Sequence, residues 1–143
     1  MSQENVEIVR RLYEEMATML KAMGEGDIQA PTSELIDEQI EWRGPREFPD
    51  LAEPLYGREG VRRYTEKLSE AIEDYRMTPE EFIDAGGDQV LVFSREGGRG
   101  RVSGAEVQTH PTAHLWMLRD GKAIRMRSYW ERSQALEAAG LSE

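Results

Sequence analysis

The sequence predicts an α+β protein in which helices pack on one face of a mostly antiparallel, curved sheet. Apolar residues at helical spacing dominate the first half of the chain, whereas apolar runs separated by glycine turns dominate the second half. The predicted order is helix, helix, strand, helix and four strands, and such segregation is typical of α+β folds. The 143 residues suit one domain that spans residues 1–143.

The first helix is predicted from apolar residues at alternating spacings of three and four. They share one helical face and are Val6, Val9, Tyr13, Met16, Leu20 and Met23. Gly24 and Gly26 end this helix. Proline favours the first turn of a helix, so a second, shorter helix is predicted from Pro31 through Ile36.

A short strand and a third helix follow. Residues 40–43 alternate between apolar and polar, which predicts a strand that Gly44 breaks. Prolines and a glycine in residues 45–57 predict an irregular loop. Helical spacing returns and predicts a third helix from Gly60 to about Asp74.

The second half predicts a run of strands. They fall at residues 81–84, 89–93, 107–118 and 123–130. Asp120 and Gly121 predict a tight hairpin turn, and Pro111 predicts a bulge or an edge position. Residues 97–104 are glycine-rich but match neither a phosphate-binding loop nor a dinucleotide fingerprint, so they predict a flexible hairpin tip. Residues 133–141 are predicted to form a short terminal helix or a tail.

Composition excludes several classes of protein. The chain has no cysteine, which excludes disulfide scaffolds, thiolate metal sites and cysteine nucleophiles. Its net charge of -10 argues against a nucleic-acid partner. The polar N-terminus and the lack of a run of about 20 apolar residues predict neither export nor a membrane span. We therefore expect a cytoplasmic protein.

The charge is unevenly distributed. Residues 1–88 hold 22 acidic and 10 basic residues, whereas residues 89–143 hold 6 acidic and 8 basic residues. The predicted helices thus carry the acidity on solvated faces, and the strand half is slightly basic. This distribution favours a small, neutral to weakly anionic ligand over a macromolecular partner.

Motifs along nearly the whole chain resemble a known family. They are Gly26-Asp27, Ile40-Glu41-Trp42-Arg43-Gly44-Pro45, Tyr56-Gly57-Arg58-Glu59-Gly60-Val61, Leu118-Arg119-Asp120-Gly121-Lys122 and Tyr129-Trp130-Glu131-Arg132. The chain resembles the SnoaL-like group of the nuclear transport factor two-like superfamily, which includes ketosteroid isomerases, limonene epoxide hydrolases, scytalone dehydratases and polyketide cyclases. The resemblance implies a cone-shaped α+β barrel with three helices on its concave face, and a homodimer.

The resemblance to ketosteroid isomerases assigns roles to several positions, and this chain departs from the isomerase pattern at one of them. Trp42 occupies the place of the base aspartate, and the acid that stabilises the oxyanion maps near His114. The tyrosine of the first helix falls at Leu12 or Tyr13. Because a tryptophan cannot act as a base, the resemblance argues against steroid isomerisation by the usual residues.

The hydrolase resemblance emphasises other residues. Arg95 and Glu96 lie where these enzymes carry an arginine and an aspartate, and Glu131 matches the acidic residue of a final motif. Trp130 and Glu131 cannot both face inward on a regular strand. The isomerase comparison places Trp130 inside and the hydrolase comparison places Glu131 inside; we favour Glu131, and a bulge would let both contribute.

The two histidines are candidates on the residues alone. His110 and His114 share a strand face with Thr112 and Trp116, because side chains alternate along a strand. The functional interpretation makes His114 a general acid or base inside a pocket. The alternative is a half-buried histidine that is hydrogen-bonded to a neighbour. Two histidines without a third ligand give a weak metal signal, so we expect no metal.

The sequence thus favours a cofactor-independent acid/base enzyme of isomerase, cyclase or hydrolase type on an apolar or polyketide-like substrate. His114 and Glu131 would transfer protons, and Arg95 or Tyr13 would orient the substrate. Aromatic residues would line the pocket: Trp42, Tyr56, Tyr64, Trp116, Tyr129 and Trp130. The alternative is a non-catalytic ligand-binding or dimerisation module with the same fold.

Overall fold

The computed structural model describes residues 2–141, with the side chains of residues 2 and 106–109 outside that description. Four helices and six strands follow one another in this part of the chain. In order they are α1 Ser2–Gly24, β1 Ile36–Arg43, α2 Pro49–Ala52, β2 Leu55–Tyr56, α3 Gly57–Ala71, β3 Ile72–Gly86, β4 Gln89–Gly100, β5 Glu106–Arg119, β6 Lys122–Tyr129 and α4 Arg132–Ala138.

The strands form one open, six-stranded sheet. Their order is β2-β1-β6-β5-β4-β3, so β2 and β3 are its two edges. The β1–β6 pair is parallel and the other neighbours are antiparallel. The predicted α+β class and the mostly antiparallel sheet are confirmed.

Alternation along the strands divides the core between the two faces of the sheet. We call the face that meets α1 and α3 the inner face and the face that meets α4 the outer face. Buried inner-face residues include Val90, Val92, Trp116 and Met126. Buried outer-face residues include Leu91, Phe93, Ala113 and Leu115.

Within the described residues, two helices cover the inner face, whereas the resemblance implied three. α1 packs on β3 and β4, and α3 packs on β1 and β2. The C-terminal α4 lies on the outer face, because Ala135, Leu136 and Ala139 contact the outer-face core. No helix in the described part of the chain is long and apolar enough to cross a bilayer.

The second helix predicted from Pro31 is wrong. Residues 27–33 form a loop, and Ile36 already begins β1. The Arg58 guanidinium accounts for this, because it donates to the carbonyl oxygens of Pro31, Ser33 and Ile36 at 2.9–3.0 Å. These carbonyls are therefore held by a side chain from α3 instead of by a helix of their own.

The strands are longer than the sequence predicted. β3 begins at Ile72, which was predicted to lie in the third helix. It continues across Pro79, where its pairing with β4 is irregular. The predicted flexible tip at residues 97–104 is partly strand, since β4 extends to Gly100. Gly98 allows this, because a Cβ there would collide with the Ile72 side chain and lie 3.0 Å from the Glu73 carbonyl oxygen. Only a residue without a side chain lets β3 approach this closely.

Two turn predictions agree with the structure. Asp120 and Gly121 have φ angles of 52° and 78°, which is the pattern of a type I′ hairpin turn. Pro111 pairs with Arg95 on β4, but the β5–β6 pairing reaches only to Ala113 and Tyr129. Pro111 therefore lies where β5 has one neighbour, so its missing N–H breaks no ladder hydrogen bond to β6.

Candidate active site

Glu96 is the centre of a buried polar cluster on the inner face of the sheet. Its carboxylate lies 3.2 Å from His114 Nε2 on β5 and accepts a hydrogen bond of 2.7 Å from the Thr112 hydroxyl. The Tyr75 hydroxyl donates to the same carboxylate. Only 5% of the His114 side chain and 19% of the Glu96 side chain are exposed. The protein interior thus holds an ionisable pair.

A second set of contacts fixes the other side of the His114 ring. The Tyr13 hydroxyl oxygen lies 2.5 Å from His114 Nδ1, and Trp116 Nε1 donates to that oxygen at 3.0 Å. An indole nitrogen can only donate, so the Tyr13 oxygen accepts from Trp116. An ionised carboxylate can only accept, so in the neutral ring Nε2 donates to Glu96 and Nδ1 accepts from the Tyr13 hydroxyl. The chain of bonds therefore runs Trp116, Tyr13, His114, Glu96.

The cluster holds Glu96 in its ionised form. Burial by itself raises the pKa of a carboxyl group. Against that effect, the charge of His114 and hydrogen bonds from His114, Tyr75 and Thr112 lower the pKa of Glu96 to about 2. Glu96 is consequently a fixed negative charge beside His114 Nε2.

Three tyrosines around this charge are held neutral. Burial, and then the Glu96 charge, raise the pKa of Tyr64 and Tyr75 above the usual value. Burial also raises the pKa of Tyr13, which the Glu96 charge reinforces and the Trp116 hydrogen bond opposes. All three hydroxyls therefore serve as hydrogen-bond donors at neutral pH and not as bases.

The cluster borders a small interior cavity that adjoins a larger pocket. His114, Glu96, Tyr64 and Ser128 are among the residues that line the cavity, which measures about 40 Å³. A pocket of about 370 Å³, called the larger pocket because it exceeds this cavity, lies between α1, the loop of residues 27–33, and the start of α3. Three residues line both spaces and form the partition between them: Met16, Met19 and Trp42.

Trp42 combines a packed ring with an unused donor. Its ring meets Trp116 and Tyr64 edge to face, with centroids 5.5 and 6.0 Å apart. The residue is 3% exposed. Its Nε1 atom is buried and has no acceptor among the described residues. Most buried indole N–H groups have a partner, so this one is an exception that needs an explanation.

Five of the residues predicted for the site lie together. Tyr13, Trp116 and His114 form the hydrogen-bonded chain, and Trp42 and Tyr64 pack beside it. They come from α1, β1, α3 and β5, so the tertiary fold, not local sequence, brings them together. Their roles in substrate binding or catalysis stay predictions.

Two other predicted catalytic residues lie outside the cluster. Arg95 precedes Glu96 on β4 and therefore faces the opposite way; it is exposed and pairs with Glu80 at 3.2 Å. Glu131 lies after the end of β6, where it is exposed and is the N-cap residue of α4. Its backbone N–H donates to Gln134 Oε1 at 3.1 Å. Neither residue lines the cavity or the larger pocket.

Three predicted aromatic wall residues also lie elsewhere. Tyr56 is 61% exposed on the edge strand β2. Tyr129 packs against the outer-face core. Trp130 stacks on His110, with ring centroids 3.6 Å apart, and meets Phe48 edge to face. Trp130 and Glu131 both lie outside the cavity. Because β6 ends at Tyr129, the alternation of side chains along a strand does not extend to these two residues.

His110 is set apart from His114 despite the shared strand. It is half-buried against Trp130, and its Nδ1 atom has no partner in the described structure. Among the side chains that the structure describes, no group of three or more His, Cys, Asp or Glu is arranged to hold a metal ion.

The sequence interpretation gave Glu96 too little weight. The signal was present, since Val90, Val92, Ser94 and Glu96 alternate on one face of β4. Tyr75 and Thr112 were also missed as partners. Tyr75 lies in a part of β3 that was predicted as helix end, so its strand face could not be assigned.

Comparison with known proteins agrees with this fold. The SnoaL-like domain model matches residues 9–126. An NTF2-like protein of unknown function from Burkholderia pseudomallei K96243 is 19% identical, with TM-score 0.70, over 94% of this chain and 95% of that chain. A putative SnoaL-like polyketide cyclase from Jannaschia sp. CCS1 is 22% identical, with TM-score 0.65, over 99% and 94%.

A third similar structure has somewhat higher identity. It is an NTF2-like protein from Burkholderia xenovorans LB400, 27% identical with TM-score 0.61 over 96% of this chain and 95% of that chain. No curated protein matches the sequence. Since the domain model covers most of the chain, the protein belongs to the SnoaL-like domain family. The resemblance drawn from the motifs is confirmed.

Proposed function

We propose that this protein is a cofactor-independent acid/base enzyme of isomerase, cyclase or hydrolase type that acts on a small, mostly apolar or polyketide-like molecule. The observation that carries the proposal is the buried His114–Glu96 pair beside a cavity. Burying an ionisable pair costs more free energy than packing apolar residues of similar size. Such pairs in clefts are therefore candidates for function.

In this proposal His114 is the group that transfers the proton. Glu96 holds Nε2 by its hydrogen bond and stabilises the imidazolium that forms, which leaves Nδ1 as the basic atom. A substrate group that enters the cavity loses its proton to Nδ1. The electron pair of the broken bond moves onto the substrate oxygen, and the Tyr13 hydroxyl, released from Nδ1, donates to that oxygen.

The remaining neighbours position the substrate. The Tyr64 hydroxyl stays protonated at neutral pH, and Tyr64 lines the cavity together with Ser128. Both hydroxyls are suited to hold a polar group of the substrate. The apolar part would occupy the larger pocket, and flexible methionines in the partition would let the two spaces join.

The test is turnover of a panel of enones, epoxides and polyketide analogues by the purified protein. His114→Asn and Glu96→Gln keep the approximate size of each side chain and should each reduce kcat by about a hundredfold or more. Glu131→Gln is the matched control and should retain turnover, because Glu131 lies outside the cavity. Unchanged turnover in both site variants, with folding verified by circular dichroism, would reject the proposal.

A non-catalytic ligand-binding module is the second candidate. Both ring nitrogens of His114 already have partners within the protein, and the cavity beside them is small. On this view the polar cluster only fixes the core, and the larger pocket binds a ligand unchanged. Binding of panel compounds without chemical conversion, detected by mass spectrometry after long incubation, would favour this candidate over the enzyme.

We also propose a cytoplasmic homodimer. The support for the dimer is the family resemblance. Sedimentation at micromolar concentration should give about twice the chain mass of 16.4 kDa. A mass equal to that of one chain would reject the dimer.

A further inference from the structure

The larger pocket has the walls of a site for a small apolar molecule. Apolar residues of α1, from Leu12 to Ala22, face Ile36, Trp42 and Val61 across it. Its volume of about 370 Å³ falls within the range of ligand pockets. Arg58 fixes the loop of residues 27–33 through three backbone carbonyls, so this wall is built and not loose.

The partition of this pocket contains the unused Trp42 donor. Trp42 lines both the pocket and the cavity, and its Nε1–H is buried without a partner in the described residues. An unpaired N–H in an apolar surrounding costs free energy, which an incoming acceptor would recover. The neighbouring Trp116 Nε1–H is already bonded to Tyr13, so Trp42 supplies the free indole donor of this aromatic pair.

The charges of the pocket restrict which acceptor can enter. Its lining includes Glu15 and Asp27, and none of the described lining residues is Lys, Arg or His. Glu15 accepts a hydrogen bond from Ser33, and Asp27 accepts from Gln29. Two carboxylates without a lining cation disfavour an anionic ligand.

We propose that the pocket selects a neutral, mostly apolar molecule carrying a carbonyl or similar oxygen, which accepts a hydrogen bond from Trp42 Nε1. The inference rests on the proposed function in taking this molecule as the substrate. The charge distribution of the sequence led us to expect a neutral to weakly anionic ligand, and this proposal narrows that expectation to a neutral ligand. It also gives Trp42 a positioning role at the place where the isomerase resemblance expected a base.

Three matched probes test the proposal by isothermal titration calorimetry. 2-Acetylnaphthalene carries a carbonyl oxygen, 2-isopropenylnaphthalene replaces that oxygen by a methylene group, and 2-naphthoate carries a carboxylate. The ketone should bind about tenfold more tightly than the alkene, which corresponds to one net hydrogen bond. The naphthoate should bind at least about tenfold more weakly than the ketone, because of Glu15 and Asp27.

Two variants locate the effect at Trp42. In Trp42→Phe, which keeps an aromatic ring without a donor, the preference for the ketone should fall to about onefold. Trp130→Phe is the control, because Trp130 stacks on His110 outside the pocket, and it should keep the tenfold preference. If Trp42→Phe still binds the alkene, the pocket of the variant has folded.

Each adverse result is decisive. The proposal is overturned if the wild type binds ketone and alkene equally, binds naphthoate most tightly, or binds neither neutral probe. It is also overturned if Trp42→Phe keeps the tenfold preference for the ketone. Failure of the proposed enzyme activity is a separate outcome. In that case Trp42-dependent ketone binding persists, while His114→Asn and Glu96→Gln leave turnover unchanged.

Discussion

The Tyr13 hydroxyl oxygen lies 2.5 Å from His114 Nδ1, although 101 positions separate the two residues in the chain. This contact joins α1 to the central strand β5 inside the core. In the neutral ring Nδ1 accepts from this hydroxyl, because Nε2 donates to the Glu96 carboxylate. Trp116 Nε1 donates to the same hydroxyl oxygen, so a helix residue links the two strand residues.

Tyr13→Phe should destabilise the fold. The change leaves His114 Nδ1 and Trp116 Nε1 buried without their partner, and one such loss costs about 1–3 kcal/mol. Urea denaturation measures the free energy of unfolding. Tyr56→Phe is the control, since Tyr56 is 61% exposed and its variant should stay within about 0.5 kcal/mol of the wild type. Equal effects of the two variants would contradict the buried network.

The Glu96 pKa predicts a defined acid sensitivity. Its folded value of about 2 lies below the ordinary 4.5, so the ionised group stabilises the fold above pH 4.5 and this contribution disappears as the pH falls towards 2. The full contribution is on the order of 3 kcal/mol.

Denaturation of Glu96→Gln and wild type across this pH range measures the effect. The difference in unfolding free energy should be largest above pH 4.5 and should shrink towards pH 2. Glu53→Gln is the control on an exposed carboxylate, and its difference from wild type should stay nearly constant with pH. A constant difference for Glu96→Gln as well would show that Glu96 is not held ionised by the cluster.

Arg58→Lys should loosen the wall of the larger pocket. The guanidinium donates to three carbonyl oxygens through two nitrogen atoms, and an ammonium group cannot reproduce that planar arrangement. We expect a loss of about 1–3 kcal/mol in unfolding free energy and weaker binding of 2-acetylnaphthalene. Arg63→Lys, at an exposed position of the same helix, should change neither quantity. Wild-type behaviour of Arg58→Lys would remove the proposed support of the loop.

Gly98→Ala should disturb the contact between β3 and β4. The added methyl group meets the Ile72 side chain and the Glu73 carbonyl oxygen, so one of the strands must shift, at a cost of about 1–3 kcal/mol. The control is Gly24→Ala at the end of α1, where a Cβ would meet nothing within 4 Å. A thermal melt that shows the same midpoint for both variants would argue against this close approach.

The fold was largely predictable because periodicity is a local property. The helical face around Tyr13 and the alternation around His114 needed only neighbouring residues. The helix predicted from Pro31 failed for a non-local reason: Arg58, distant in sequence, binds the carbonyls of that segment. Periodicity cannot report such a contact.

The site was predictable only in part. His114 and Tyr13 followed from strand parity and family position, whereas Glu131 was predicted inside the pocket but lies outside it, because β6 ends two residues before it. Arg95 and Glu96 point to opposite faces, and the family comparison did not decide which of them faces inward. The continuation of β4 beyond residue 93 places Glu96 on the face of Val90 and Val92 and Arg95 on the opposite face.

Met16, Met19 and Trp42 line both spaces, so in the proposed enzyme the binding of a ligand and its reaction at His114 are two separate events. A molecule can saturate the larger pocket without reaching the His114 imidazole, so a compound that binds this protein tightly need not be a substrate. Compounds that are too rigid or too broad to pass the methionines would accumulate there as competitive inhibitors. The dissociation constant and the turnover number should therefore vary independently across a series of ligands. The width of the ligand should determine the turnover number.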